Sequence, residues 1–387
     1  MTGLPRKPGR PYQGCMRRPL EVLAIEPWLG GSHERFLAAW QQRSRHQVEV
    51  LGLLARHWKW RMEGSGTWIA ARMAERTPAD VLLVSDYVDL ARLRGLAPPA
   101  WRGVPALAYF HENQLTYPVA EGQQRDLTHG FTNVLTLLAA EASAFNSAYH
   151  LTEFAGAARA LLGALPRPAP RAELEAALER SSVLAPGIDL GEIPPGPGGA
   201  GPLQVLFNQR REHDKDPLEA LSILEEAQAA GAALEVVLLG EASDRQPPGV
   251  AEAIERLGEQ VVHQGHVASR GEYAGWLGRC DLVLSSALHE FYGMAVLEAL
   301  AAGCTPLLPR RLAYPEVLPA ELHEAALYDS RGEAVERLVQ LALEPDAARQ
   351  QAARDRWRRA AQAHSVERTA AQLDDALEGL RASPSGS

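Results

Sequence analysis

Two glutamates flank a glycine turn in the second half of the chain. Within residues 289–303, Glu290 lies in a polar loop, Gly293 and Met294 mark the turn into a predicted helix, and Glu298 lies inside that helix. A helix start offers free backbone N–H groups and a positive dipole end, which suit a diphosphate. A carboxylate such as Glu298 can accept hydrogen bonds from a vicinal diol, for example a ribose. The alternative is an amphipathic helix with solvated glutamates.

Two cations follow the first predicted strand of the same half. Arg210 and Lys215 are five residues apart, directly after the apolar run Leu203–Phe207. Fixed cations can stabilise the negative charge that develops on a departing diphosphate when no metal ion does so. The alternative is a surface loop of mixed charge.

A dense polar cluster ends a predicted strand in the first half. It follows Ala106–Phe110 and contains His111, Glu112, Asn113 and Tyr117. Polar residues at the carboxyl end of a strand indicate a binding site rather than a core. A histidine with a purely structural role is the alternative.

Gly30 and Gly31 lie between the first predicted strand and the first predicted helix. Glycines permit a tight turn and a close approach of ligand to backbone. Their spacing is not that of the dinucleotide-binding fingerprint, so we expect no nicotinamide cofactor. An ordinary strand-to-helix turn is the alternative.

Aromatic and basic residues alternate near the N-terminus. Trp58, Trp60 and Arg61 belong to a segment in which flat rings neighbour cations, a composition typical of nucleic-acid contacts. Residues 1–76 hold 13 Lys/Arg and 6 Asp/Glu, although the whole chain has a net charge of −9. A local basic patch is sufficient for RNA binding. The alternative is a partly buried surface helix.

Composition excludes several classes of protein. With 46% hydrophobic residues over 387 positions, the chain is too apolar for wholesale disorder. Apolar runs stay below the roughly 18 residues that a membrane-spanning helix needs. Three scattered cysteines predict neither a disulfide framework nor a zinc site, and favour a cytoplasmic location. The basic N-terminus has no apolar stretch behind it, so we expect no secretory signal.

Both halves repeat a pattern of short apolar run, turn and amphipathic helix. Such runs predict parallel strands buried on both faces, and their alternation with helices predicts two doubly wound α/β domains. The predicted strands are Leu20–Ile25, Val48–Leu53, Val81–Val84, Ala106–Phe110, Leu203–Phe207, Leu234–Leu239, Gln260–His263, Leu282–Ser285 and Cys304–Leu308, and a further strand is predicted to end at about Phe145. In this architecture the cleft between the domains is the expected ligand site.

Composition also divides the chain into segments. We expect a basic, disordered tail at 1–18, a first Rossmann-like domain at 19–192, a Pro/Gly linker at 193–202, a second Rossmann-like domain at 203–365, and a C-terminal helix with a frayed tail at 366–387.

The motifs resemble those of retaining family-4 glycosyltransferases with the GT-B fold. The pair Glu290 and Glu298, with seven residues between, is similar to the family's signature, in which the first glutamate contacts the donor sugar and the second holds the nucleotide ribose. The resemblance implies that Arg210 and Lys215 neutralise the donor diphosphate, although Gln209 stands where the family usually has glycine.

The resemblance also covers the first half. It implies that Gly30 and Gly31 face the donor phosphates and that His111 lies beside the anomeric carbon. Together with Glu290, His111 is therefore a candidate catalytic residue.

Several strings are closer to one branch, the tRNA-queuosine mannosyltransferases. They are Glu26–His33, Trp58–Arg61, Tyr109–Pro118, Glu212–Pro217 and His289–Gly293. This resemblance implies metal-independent transfer of mannose from GDP-mannose to queuosine in tRNA(Asp), with Trp58, Trp60, Arg61, Glu112, Asn113 and Tyr117 on the acceptor side. No membrane partner is expected, and the oligomeric state stays open. The alternatives are a family-4 enzyme acting on another modified nucleoside, a lipid or a small molecule, and a non-catalytic nucleotide-binding protein.

Overall fold

Short runs of Val, Leu, Ile and Ala form the buried strands of two parallel sheets. The computed structural model describes residues 18–119, 124–240 and 246–382, and within them each sheet has six strands. Helices cover both faces of each sheet, which explains why the strands are apolar on both sides. The predicted fold class, two doubly wound α/β units, is confirmed.

The first sheet has the strand order β2-β1-β3-β4-β5-β6. Its strands are β1 Glu21–Leu29, β2 Gln47–Leu54, β3 Val81–Ser85, β4 Ala106–Phe110, β5 Ala142–Phe145 and β6 Ser181–Val183. The helices of this half are α1 Gly31–Arg43, α2 Trp58–Met73, α3 Leu90–Leu96, α4 Pro99–Arg102, α5 Leu127–Ala139, α6 Ala148–Ala164 and α7 Arg171–Glu179.

The second sheet has the strand order β12-β11-β10-β7-β8-β9. Its strands are β7 Leu203–Phe207, β8 Leu234–Leu238, β9 Val261–Gln264, β10 Leu282–Leu284, β11 Thr305–Pro309 and β12 Leu327–Tyr328. The helices that follow β7 are α8 Pro217–Ala229, α9 Val250–Leu257, α10 Arg270–Arg279, α11 Met294–Ala302, α12 Tyr314–Val317, α13 His323–Ala326, α14 Arg331–Leu343, α15 Pro345–Arg349, α16 Gln351–Gln362 and α17 Val366–Ala382.

The chain passes between the halves at two places that are hydrogen-bonded to each other. The Ile188 N–H donates to the His364 carbonyl over 2.8 Å, and the Val366 N–H donates to the Ile188 carbonyl over 2.9 Å. These bonds hold the outgoing and returning segments side by side.

The last helix, α17, packs on the first half and not on the second. Its residues Leu373 and Leu377 share a buried core cluster with Trp40 of α1. The indole N–H of Trp40 donates to Asp374 Oδ1 over 2.8 Å. The first half is therefore completed by the end of the chain.

The Pro/Gly segment 193–202 has neither helix nor strand, and it is held closely. A Cβ on Gly196 would lie 2.0 Å from the carbonyl oxygen of Gly278, so only glycine fits there. The buried Arg354 donates from Nε to the Gly196 carbonyl over 3.0 Å. The segment is therefore anchored to the second half at Gly196, Gly198 and Gly199.

Of the predicted tails, Arg18 and the helix α17 lie within the described residues, whereas 1–17 and 383–387 lie outside them. Among the described helices, none is both long enough and apolar enough to cross a bilayer.

Candidate functional site

The carboxyl edges of the two sheets face each other, and ring contacts and hydrogen bonds join them. The ring of Tyr117 lies 4.7 Å from that of His289, and the ring of His150 stacks on Phe291 at 3.7 Å. Glu316 accepts from the first two backbone N–H groups of α6 at 2.6 and 2.9 Å. Polar residues from both halves therefore meet in one cleft.

Glu290 and Lys215 form a partly buried pair at the start of α11, with 17% and 13% of their side chains exposed. Glu290 Oε1 accepts from the Gly293 N–H at 2.9 Å, and Oε2 accepts from Lys215 Nζ at 3.2 Å. Lys215 also donates to the His289 carbonyl at 2.7 Å and lies 3.3 Å from Asp214. The loop, the cation and the helix start are thus fixed relative to one another.

The environment keeps both members of this pair charged. Burial lowers the pKa of Lys215, but the charges of Glu290 and Asp214 outweigh it and raise the pKa. Burial raises the pKa of Glu290, but Lys215 and the backbone donors outweigh it, so the pKa is lowered. A cation that is already positioned and charged suits a diphosphate, which arrives with its own negative charge.

Gly293 makes the turn that aims α11 at the cleft. It has φ 92°, a left-handed conformation that favours glycine, and a Cβ there would also press on Tyr314 at 3.3 Å. Met294 is the first residue of the helix and packs against the core. The predicted helix start is confirmed.

Arg210 and its neighbours face different ways. The Arg210 side chain is 54% exposed and lies 3.5 Å from Glu212, so it is available to a ligand. Arg211 is buried and donates to Gln246. Gln209, which departs from the family pattern, is also buried, accepting from Ser285 and donating to Tyr314. Its side chain therefore fills the interior and leaves the place beside Arg210 open.

Glu298 is almost fully buried on α11. Its Oε1 accepts from Arg270 Nη2 at 2.6 Å, and its Oε2 accepts from the Tyr273 hydroxyl at 2.9 Å. A charge in this apolar surround requires a partner, and that partner is Arg270. The sequence did not indicate Arg270.

At the edge of the first sheet, Glu26 and His33 form a buried pair. Glu26 Oε2 lies 2.9 Å from His33 Nδ1, and Oε1 accepts from the Ser85 hydroxyl at 3.0 Å. Burial lowers the pKa of His33, but the charge and hydrogen bond of Glu26 outweigh it and raise the pKa to about 9. His33 is therefore an imidazolium at neutral pH.

Two further carboxyl groups lie beside this pair. Glu112 Oε1 accepts from the Tyr87 hydroxyl at 2.7 Å and from Gln114 at 3.0 Å. Asp86 is fully buried, and its Oδ1 accepts from the His111 N–H, while its Oδ2 has no hydrogen-bond partner. Burial and the charge of Glu112 raise the pKa of Asp86 well above its ordinary value.

His111 lies in this acidic surround as a neutral imidazole. Its ring is 4.1 Å from that of His33. Burial, followed by the charge of His33, lowers the pKa of His111 well below its ordinary value. A neutral, half-buried imidazole can accept or donate one hydrogen bond, so His111 is suited to orient a hydroxyl group.

The other predicted first-half residues differ in their accessibility. A Cβ on Gly30 would lie 2.7 Å from the Cβ of Ala55, and Gly31 has φ 57°, so glycine is needed at both places by the chain itself. Asn113 is fully buried: its Oδ1 accepts from the Leu115 and Thr116 N–H groups, whereas its Nδ2 has no hydrogen-bond partner among the described residues, so the expected acceptor contact stays a prediction. Asn113 shapes the loop that carries Tyr117.

The aromatic and basic segment forms the first turn of α2, beyond the carboxyl end of β2. The Trp60 side chain is 64% exposed, whereas Trp58 packs on the ring of His129 at 5.0 Å. The Arg61 guanidinium donates to the Leu54 carbonyl. Trp60 and the exposed Lys59 are thus the groups of this turn that a partner could reach.

One group of side chains has the composition of a metal site, although one of its histidines is protonated at neutral pH. Glu26, His33 and His111 each bring one potential ligand atom within 4.8 Å of the others. The charge and hydrogen bond of Glu26 raise the pKa of His33, so a metal ion would have to displace a proton from this imidazole before binding it.

Sequence reasoning missed Asp86, His33 and Arg270 as members of the site. Asp86 follows β3 directly, so the rule that located His111 after β4 could have located it too. Arg270 opens α10 and reaches Glu298 only through the tertiary fold, so no local signal marks it.

Comparison with known proteins gives the family. Residues 21–188 match the model of the tRNA-queuosine alpha-mannosyltransferase N-terminal domain, and residues 217–375 match a glycosyl transferase-like model. The tRNA-queuosine alpha-mannosyltransferase of Drosophila melanogaster is 32% identical over 78% of this chain and 82% of its own length. A GDP-mannose-dependent alpha-(1-6)-phosphatidylinositol dimannoside mannosyltransferase of Mycobacterium tuberculosis is 33% identical over 27% of this chain and 28% of its own.

Solved structures share the fold. Sucrose-phosphate synthase from Thermosynechococcus elongatus superposes with a TM-score of 0.71 at 14% identity, covering 93% of this chain and 99% of that one. Anabaena HepE, solved in complex with UDP-glucose, superposes with a TM-score of 0.67 at 17% identity, covering 93% and 100%. The predicted GT-B fold is confirmed.

Proposed function

We propose a function from the premise that this chain belongs to the tRNA-queuosine alpha-mannosyltransferase family. The protein is a cytoplasmic hexosyltransferase that moves mannose from GDP-mannose to queuosine at the wobble position of tRNA(Asp), with retention of configuration. The observation that carries this proposal is the partly buried pair Lys215–Glu290 at the start of α11, with Glu298 inside the same helix.

The donor is bound by the second half. Its diphosphate meets Lys215, Arg210 and the N–H groups that open α11, while its ribose hydroxyls are accepted by Glu298. Transfer breaks the bond between mannose C1 and the diphosphate oxygen, which leaves with the electron pair. Lys215 and Arg210 stabilise the charge that develops on that oxygen, and no metal ion is required.

The acceptor enters from the first half. A hydroxyl of the queuosine cyclopentenediol forms the new bond to C1, and its proton passes to the departing diphosphate oxygen. His111 and Glu112 offer hydrogen bonds to the sugar and the diol, and Tyr117 closes the cleft against His289. Trp60 and Lys59 lie on the carboxyl side of the same sheet, where a ring can stack on a base and a cation can meet a phosphate.

The experiment is transfer with purified full chain, GDP-mannose and queuosine-containing tRNA, followed by mass spectrometry of the nucleosides. We expect queuosine to gain one hexose that an α-mannosidase removes, and we expect Glu298→Ala to abolish the gain. Glu255→Gln, an exposed position on α9, is the matched control. Gain of hexose only from UDP-glucose would correct the donor, and no gain with any nucleotide sugar would reject tRNA as the acceptor.

A further inference from the structure

Both oxygens of Glu298 are already engaged before any ligand binds. Arg270 Nη2 donates to Oε1 at 2.6 Å and the Tyr273 hydroxyl donates to Oε2 at 2.9 Å. The Glu298 side chain is 4% exposed, so these two donors account for its solvation. The carboxylate cannot rotate without breaking one of them.

The two donors are themselves oriented by second partners. Arg270 Nε donates to Glu192 Oε2 at 2.9 Å, and the guanidinium lies 4.9 Å from the centre of the Tyr273 ring. Asn208 Nδ2 donates to the Tyr273 hydroxyl oxygen at 3.0 Å, which directs the hydroxyl proton toward Glu298. Each bond in this chain has a defined direction.

This arrangement leaves Glu298 half satisfied. A carboxylate has about four lone-pair positions, and the two described donors use one on each oxygen. One acceptor position therefore remains on each oxygen, and two hydroxyl groups of one ligand can donate to them. Burial lowers the pKa of Arg270, but the charge of Glu298 outweighs it and raises the pKa, so the guanidinium stays charged beside Glu298.

We propose that Arg270 is a positioning residue for the donor: it fixes Glu298 in the orientation that accepts the two ribose hydroxyls, and it ties that carboxylate to Glu192 at the edge of the interdomain segment. This inference rests on the proposed function, in which the ligand of Glu298 is a ribonucleotide. Glu192 ends a short turn, Leu190–Glu192, directly before the segment 193–202. The donor site and the segment between the halves are thereby joined through one guanidinium.

The test compares the binding of GDP with that of 2′,3′-dideoxy-GDP, measured by calorimetry on the full chain. Arg270→Ala removes a charge-assisted hydrogen bond, so we expect GDP to bind about 10- to 100-fold more weakly. Binding of the dideoxy nucleotide should change less than about twofold, because it has no hydroxyl groups for Glu298 to accept. Arg270→Lys, which keeps the charge but not the fork of donors, should fall between wild type and Arg270→Ala.

Two further variants separate the outcomes. Arg256 of α9 forms an ion pair with Glu225 of α8. Arg256→Ala should bind both nucleotides as the wild type does. Glu298→Gln should lose the same preference for GDP over the dideoxy nucleotide as Arg270→Ala. If Glu298→Gln binds GDP normally, the donor site and the proposed function are wrong. If Glu298→Gln is impaired and Arg270→Ala is not, only the positioning role is wrong.

Two other results would also overturn the positioning role of Arg270. An equal loss of both nucleotides in Arg270→Ala would mean that Arg270 merely supports the fold, and the thermal unfolding midpoint would then fall as well. Tighter binding of GDP in Arg270→Ala would mean that Arg270 occupies the ribose position and blocks it.

Discussion

The two sheet edges that face each other across the cleft differ in how their carboxylates are paired. On the second sheet, Lys215 neutralises Glu290, and Arg270 neutralises Glu298. On the first sheet, Glu26, Asp86 and Glu112 lie together, and within the described residues none of them forms an ion pair with lysine or arginine. His33 is the cation that pairs with Glu26.

This difference indicates two kinds of ligand. The second edge holds cations whose present partners are side chains, so an incoming diphosphate can share them without a large rearrangement. The first edge has an excess of carboxylates that need hydrogen-bond donors, and a polyhydroxylated acceptor supplies such donors. This difference supports the proposed placement of the donor at the second edge and of the acceptor at the first.

The largest effect is expected on the second edge. Lys215→Ala leaves Glu290 and Asp214 without their shared cation and removes one charge from the diphosphate site, so we expect kcat/KM for transfer to fall about 100- to 1,000-fold. Steady-state transfer assays would measure it, with Arg256→Ala as the control. Unchanged activity would show that the paired edge does not bind the diphosphate.

On the first edge, the Glu26–His33 pair should make stability depend on pH. The pKa of His33 is raised in the folded state to about 9 from an ordinary value of 6.5, so its contribution is full below pH 6.5 and is lost as the pH rises to 9. A shift of this size corresponds to at most about 3 kcal/mol of unfolding free energy. Denaturant unfolding at several pH values would measure the loss, and His33→Gln should show much less of it.

The control for that experiment is His266→Gln, because His266 is exposed in the second half. Its unfolding free energy should follow wild type at every pH. If His33→Gln also follows wild type, His33 is not charged in the folded protein, and the first edge carries more negative charge than we infer.

The smallest effect concerns Asp86. Because burial and Glu112 raise the pKa of Asp86 in the folded state, this carboxyl group lowers the stability of the fold at neutral pH, and the cost disappears only as the pH falls below the unfolded pKa of 3.8. Asp86→Asn keeps an oxygen for the His111 N–H and removes the charge. We expect the unfolding midpoint to rise by about 2–4 °C at pH 7.5, and by less at pH 4, in differential scanning calorimetry.

Asp346→Asn, at an exposed side chain on α15, should leave the midpoint unchanged at both pH values. A lower midpoint for Asp86→Asn at pH 7.5 would mean that the surroundings stabilise the Asp86 carboxylate, contrary to the unpaired state inferred for this edge.

The sequence allowed prediction of the second edge more fully than of the first. Glu290, Gly293 and Glu298 lie within nine consecutive residues, so one linear motif contains the loop, the turn and the helix. The first edge is assembled from the ends of β1, β3 and β4, and only the residues after β4 form a conspicuous string. Asp86 and His33 become partners of His111 through strand order, which local spacing does not encode.

The strands themselves were well predicted, because buried parallel strands have continuous apolar runs. The short strands β6 and β12 were not, since three and two residues carry too little pattern. The destination of α17 could not be predicted either. An amphipathic helix shows that it has an apolar face, but the sequence does not say which half that face will cover.

The placement of α17 has a consequence for the order of synthesis. The ribosome makes Trp40 long before the side chains that close the core around it, because Leu373 and Leu377 lie about 330 positions further along the chain. Until they emerge, the nascent first half exposes an apolar surface and leaves the Trp40 N–H without its Asp374 acceptor. A stop codon shortly before α17 would therefore leave the first half without the helix that closes its core. The nascent chain would be a natural client for chaperones.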